Sequence, residues 1–202
     1  RTARSPLATW VRSTALGWAL GVPAIVLLAA LAESLGEQGL HTPVGAGMGL
    51  TVGFFQYRAL RARLDDAAPW FWSCLVGLSA PFLAVDLAGV AGLRVPYSLP
   101  ASVVCGGLIL GLWQTVLLRP PSARVAWWVT ASVLGWSLAS GSVALADLLV
   151  RTRALRGIPG ALAYLALVAS GGLLLAAVTG FTLVRLPRPE PRVEEGRSRG
   201  IA

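Results

Sequence analysis

The chain has 202 residues, of which 55% are hydrophobic and 13% charged, and its formal net charge is +8. Soluble domains carry about 25% charged residues, so this composition lacks the polar surface to cover a globule in water. All 17 basic residues are arginine. They sit between apolar runs rather than together on a soluble face, which argues for membrane flanks and against a nucleic-acid partner.

Six apolar runs follow in chain order: Thr14 to Ala32, Pro43 to Leu60, Trp70 to Leu93, Pro100 to Leu118, Ala126 to Val150, and Ile158 to Val184. A helix needs roughly 17–25 apolar residues to cross a bilayer, and each run meets that length. The predicted fold is therefore all-α, an integral membrane bundle of six helices, with residues 1–184 as one transmembrane domain. Pro23 and Pro81 are tolerated inside spans when neighbouring helices shield the freed carbonyls. The segment 185–202 is rich in Pro, Arg and Glu and reads as a disordered cytoplasmic tail. The first run also has the form of a secretory signal, with Ala30-Leu31-Ala32 as its cleavage site. It shares a motif with the third and fifth runs, however, and a cleaved segment has no reason to do so.

Orientation follows from the arginines. With a cytoplasmic N-terminus, thirteen of them fall inside, and Arg94, Arg151, Arg153 and Arg156 fall outside. That bias predicts two cytoplasmic termini, and the absence of lysine suggests a GC-rich bacterial source, hence the plasma (inner) membrane of a bacterium.

Self-comparison gives the most information. The second run contains Gly49, Gly53, Gln56, Leu60 and Arg61, and the fourth contains Gly107, Gly111, Gln114, Leu118 and Arg119 at an offset of 58. The sixth run carries a degraded copy: Gly172, Ala176, Thr179, Leu183 and Arg185. In the odd-numbered runs, Trp10 precedes Gly17-Trp18 as Trp128 precedes Gly135-Trp136, while the third run keeps Trp70 and Gly77 and places Leu78 next. The unit is a two-helix hairpin repeated over about residues 10–63, 70–124 and 127–185. Units with an even number of spans enter the membrane in one orientation, which implies parallel repeats about a pseudo-threefold axis.

Gly45, Gly49 and Gly53 form a bare stripe at four-residue spacing, as do Gly107 with Gly111 and Gly172 with Ala176. Such stripes let helix backbones approach closely in lipid. Gln56 and Gln114 lie on the same faces, either bonding across helices or, with Thr179, lining a site or path on the axis. Trp10, Trp70 and the pair Trp127–Trp128 sit where interfacial anchors belong. Cys74 and Cys105 lie about 14 Å apart in depth. That is too far for a disulfide, which needs Cα atoms within about 7 Å, so both read as small core residues.

The pattern G-x-x-x-G-x-x-Q-x-x-x-L-R, followed by a charged turn, a tryptophan and later a glycine–tryptophan pair, resembles a group of uncharacterised bacterial polytopic membrane proteins with repeated hairpins. The resemblance implies the fold and carries no activity. The departures are the lost second tryptophan of the third run and the missing glutamine of the sixth.

Ionisable residues inside spans are costly and often functional. Asp86 and Asp147 both lie toward the outer surface, and Asp147 precedes Arg151 by four residues, a spacing that allows pairing on one helix face. Glu33, Glu37 and His41 form an outer cluster that would share a helical face, but the intervening Gly36 and Gly39 and the single histidine argue for a loop and no metal. Arg151, Arg153 and Arg156 run against the charge bias and could meet an acidic head group, a protein or an anionic solute. No nucleophile–base pair, phosphate loop, haem-attachment motif or HExxH occurs, so neither catalytic residues nor a cofactor is expected. The expectation is a non-enzymatic membrane protein partnered by membrane lipids and by a membrane protein or a second copy of itself: an accessory or scaffolding subunit, or a binder of a hydrophobic ligand (lipid, pigment or quinone). The rival is a small channel or transporter with its path on the axis.

Overall fold

The computed structural model describes residues 5–64, 66–118 and 122–185, without the side chains of Ser122 and Ala123. The expected disordered tail falls, beyond Arg185, outside the described residues. Six helices make up the fold: α1 (Pro6–Ser34), α2 (Thr42–Leu60), α3 (Ala68–Val90), α4 (Ser98–Leu118), α5 (Ser122–Arg151) and α6 (Gly157–Arg185). No strand occurs among the described residues. Five of the helices are long and apolar enough to cross a membrane; α2 is not among them. Its 19 residues would span about 28 Å at helical rise. Gly45, Gly47, Gly49, Gly53, Gln56 and Arg58 dilute its apolar character.

Helix α1 starts eight residues before the first apolar run because Ser5 caps it, its Oγ accepting from the Ala8 N–H at 3.2 Å, with Pro6 in the first turn. Both features favour a helix start, since the first-turn donors need outside acceptors and proline has none to satisfy.

Each helix packs against its sequence neighbours, and α1 against α6 closes the ring. Contacts between successive helices run in opposite directions: Gly17 meets Val52 while Gly47 meets Ile25, and Gly45 meets Leu78 while Gly53 meets Phe71. The N-terminal ends of α1, α3 and α5 therefore share one end of the ring with the C-terminal ends of α2, α4 and α6. Among the described residues this end carries Arg12, Arg58, Arg61, Arg63, Arg124 and Arg185 and is called the arginine end here.

Glycine sets the spacing. A Cβ on Gly49 would stand 2.7 Å from the Cys74 carbonyl oxygen and 2.8 Å from the Leu75 Cα; one on Gly17 would stand 2.7 Å from the Val52 Cα. These neighbours are backbone and cannot rotate away. In lipid, where apolar side chains gain little by leaving the solvent, such close approach is a main source of packing energy. Outward faces carry exposed Leu16, Leu27, Leu87, Val116, Leu134 and Phe181, among many others, an apolar surface suited to hydrocarbon.

Two apolar layers fill the ring. Near the arginine end, Trp10, Leu60, Trp70, Cys74, Trp128 and Leu183 cluster. Farther along, Trp18, Met48, Val52, Leu78, Phe82, Val103, Leu110, Trp136, Ala139 and Leu175 form the second.

Candidate functional site

The three leading tryptophans are core residues rather than interfacial anchors. Trp10, Trp70 and Trp128 are at most 2% exposed, and Trp70 stands edge-on between the others at centroid distances of 5.9 and 5.7 Å. Each shares a helical face with residues that point inward, as Trp10 does with Thr14, Gly17, Trp18 and Gly21. Trp127, one residue away, is the outward-facing one.

Polar groups bind this layer. Gln56 donates from Nε2 to Thr14 Oγ1 at 3.2 Å and accepts at Oε1 from Trp70 Nε1 at 3.0 Å. Gln114 donates from Nε2 to Ser73 Oγ and Cys74 Sγ, each at 3.3 Å. Trp10 Nε1 donates to Thr179 Oγ1 at 3.0 Å, joining α1 to α6. Gln56, Gln114 and Thr179 are thus brought to one level, where they bridge neighbouring helices. The exception is Trp128 Nε1, a buried donor without a partner among the described residues.

Beyond this layer lies a cavity of ≈ 270 Å³ lined by residues of all six helices. Trp18 and Trp136, 6.1 Å apart, face it together with Met48, Leu78, Phe82 and Val103. Ser140 and Tyr164 supply the hydroxyl groups of its wall. The Tyr164 hydroxyl donates to Asp147 Oδ1 at 3.0 Å. Asp147 therefore reaches across to α6, and no ion pair with Arg151 forms. No motif announced the cavity; its walls are ordinary apolar positions whose joint feature is the space between them.

The other candidates stand apart from it. Asp86 caps α2 from α3: its carboxylate accepts from the His41 N–H at 2.8 Å, the Thr42 N–H at 2.7 Å and the Thr42 hydroxyl at 2.6 Å, and lies 3.0 Å from His41 Nδ1. Anionic oxygens at a helix N-terminus satisfy donors that have no partner within the helix. Glu33 ends α1 and Glu37 lies in the following loop, so the two do not share a helix face with His41. No group of three metal-ligating side chains forms among the described residues. Arg151 closes α5, while Arg153, at φ 58°, and Arg156 follow in an exposed loop where Arg156 Nε donates to the Arg153 carbonyl. Cys74 is buried, but Cys105 is exposed, contrary to its reading as core: the inward face of α4 is set by Ser102, Val103, Gly106 and Gly107.

Comparison with protein-family models, with curated proteins and with solved structures finds no match to this chain.

Proposed function

We propose that this chain is a non-enzymatic, multi-pass protein of a bacterial inner membrane that holds a hydrophobic ligand inside its helical ring. The observation that carries this reading is the ≈ 270 Å³ cavity, reached by side chains of every helix and walled almost wholly by apolar groups. An apolar cavity of about 150 Å³ stays dry and takes up benzene, so a larger one of the same character suits a chain segment or a small ring system. All six helices cross the bilayer in this reading, α2 included, with both termini on the cytoplasmic side, where the arginine end supplies the positive flank.

A three-hairpin, pseudo-threefold arrangement is part of the same proposal. Its support is positional. Thr14, Cys74 and Ser132 each follow their leading tryptophan by four residues, and the first two accept from Gln56 and Gln114 respectively. Val52, Leu110 and Leu175, each four residues before Gln56, Gln114 and Thr179, all pack in the second apolar layer. The resemblance to repeated-hairpin membrane proteins belongs to this proposal as well.

A channel would need Gln56, Gln114 and Thr179 free to meet a solute. Their hydrogen bonds to other helices and the three tryptophans at their level favour a closed floor instead. A scaffolding role, with a membrane-protein partner or a second copy on the lipid-facing surface, is compatible with ligand binding.

Native mass spectrometry in mild detergent tests the reading. The expected result is a retained or reloadable apolar molecule, lost when Val103→Trp or Ser140→Leu fills the cavity. A folded wild-type chain that neither retains nor takes up long-chain alcohols would overturn it.

A further inference from the structure

The cavity is not equally closed on all sides. Along α1, the buried positions are Trp10, Thr14, Gly17, Trp18 and Gly21, with none beyond. Along α6 they are Gly160 and then Gly171 onward. Gly160 faces Leu155 of the preceding connection, not α1. The α1–α6 seam is fastened from Trp10–Thr179 up to Trp18, whose Nε1 donates to the Val168 carbonyl at 2.8 Å and whose ring covers Gly171 and Gly172. Past that point no hydrogen bond or glycine contact joins the two helices among the described residues.

Three of the other seams are tied at the same end. Ile25 of α1 packs on Gly47 of α2, Asp86 of α3 caps α2, and Asp147 of α5 binds Tyr164 of α6. Four cavity-lining residues are exposed, and three of them, Val22, Val26 and Leu165, border the α1–α6 gap. Val26 is 62% and Leu165 61% exposed, so they rim an opening to the side, toward hydrocarbon, with Trp18 as its sill.

Resting on the ligand-binding reading above, we infer that the gap between the outer halves of α1 and α6 is a lateral portal through which one chain of a single-chain lipid passes from the bilayer into the cavity. Pockets that enclose a whole small ligand run to about 300–1,000 Å³, so a lipid here inserts a part and leaves the rest in the gap. The chemistry of the wall selects its polar end. The Tyr164 hydroxyl spends its proton on Asp147 and offers the cavity an acceptor, and the carboxylate beside it repels an anion. Ser140 adds a hydroxyl that can donate or accept, so the occupant is a lipid with a neutral end group able to donate to Tyr164, an alcohol in its simplest form, rather than one ending in a carboxylate.

The test uses the full chain in lipid vesicles and a brominated long-chain alcohol supplied through the bilayer. Bromine reaching the cavity quenches Trp136 and its neighbour Trp18, and the difference between the wild type and Trp136→Phe isolates the Trp136 signal from every other tryptophan. Plugging the gap with Val26→Phe and Leu165→Phe should slow uptake about tenfold, equivalent to ~1.4 kcal/mol on the barrier. Leu87→Phe, lipid-facing on α3 and away from the cavity, should leave the rate unchanged. Val26→Phe alone serves if the double variant folds poorly. Unaltered uptake with the gap plugged overturns the portal and leaves the cavity standing, whereas no Trp136 quenching in any form removes the ligand-binding reading itself. The brominated alcohol should outcompete its carboxylate counterpart about tenfold in the wild type, again ~1.4 kcal/mol, and Asp147→Asn should erase that preference. Equal occupancy by the two in the wild type would overturn the assignment of the end group.

Discussion

Three tryptophans in one buried layer offer an internal comparison, because Trp10 and Trp70 have hydrogen-bond acceptors and Trp128 has none among the described residues. Trp→Phe at Trp70 and at Trp128 removes a similar volume from a similar environment, so most of the packing loss cancels between them. At Trp70 the substitution also strips the stronger donor from Gln56 Oε1, leaving it only the weak Cys74 thiol at 3.7 Å, on a side chain only 5% exposed. Leaving a buried acceptor unpaired costs about 1–3 kcal/mol, and with only a thiol remaining the loss falls toward the lower end. At Trp128 no acceptor is orphaned, and the change deletes a buried donor whose own desolvation costs a comparable ~1–3 kcal/mol. Trp70→Phe should therefore destabilise the chain by at least about 2 kcal/mol more than Trp128→Phe. For a chain of this size that is on the order of 4–8 °C in unfolding midpoint. Thermal unfolding of both variants in the same mild detergent, followed by near-ultraviolet circular dichroism, measures the difference. Equal losses, or a larger loss at Trp128, would refute the reasoning, since Trp128 Nε1 would then have a partner of its own, for instance a buried water.

The remaining predictions concern packing, capping and thiol access. Gly49→Ala should cost about 1–3 kcal/mol, because its methyl group would press on the backbone of α3, whereas Gly141→Ala should be neutral or mildly stabilising, since nothing lies within 4 Å of the added carbon; unfolding midpoints compare the two. Asp86→Ala should cost about 0.5–2 kcal/mol through loss of the α2 cap and speed amide exchange at His41 and Thr42, with Asp86→Asn milder. A lipid-soluble maleimide should label Cys105 and spare Cys74, as peptide mass mapping after labelling of the folded chain would show.

Much of the fold was legible because a bilayer demands long apolar runs, and five helices announce themselves by that feature alone. Helix α2 was read from the same rule at its margin: the glycines that lower its apolar character are also those that seat it against α1 and α3. The tryptophans were misplaced for a physical reason. A tryptophan at the end of an apolar run satisfies both an interfacial and an interior reading, and only helical phase separates Trp128 from Trp127. Gln56 and Gln114 stood out because an amide in an apolar stripe needs a partner, although the partners, Thr14, Ser73 and Trp70, lie on other helices at distances no local pattern reports. The four-residue spacing of Asp147 and Arg151 permits pairing on one helix face, but Tyr164 holds the carboxylate across the α5–α6 hairpin. The cavity left no trace in the sequence, because it depends on how far apart six helices stand.

The closure of the ring by α1 and α6 also fixes an order of assembly. The bond between Trp10 and Thr179 joins residues 169 positions apart, so it cannot form until the last helix has been made. Contacts so distant in sequence form late, because a long loop must be closed before they repay its entropy. During synthesis α1 therefore waits with an unfinished edge, its Trp10 indole lacking an acceptor, while each later hairpin docks on the one before. The seam inferred to admit lipid is thus also the last to be sewn. A nascent bundle lacking α6 offers an edge of matching shape to the α6 of another chain, which makes exchange of that helix between two copies the natural error of this architecture.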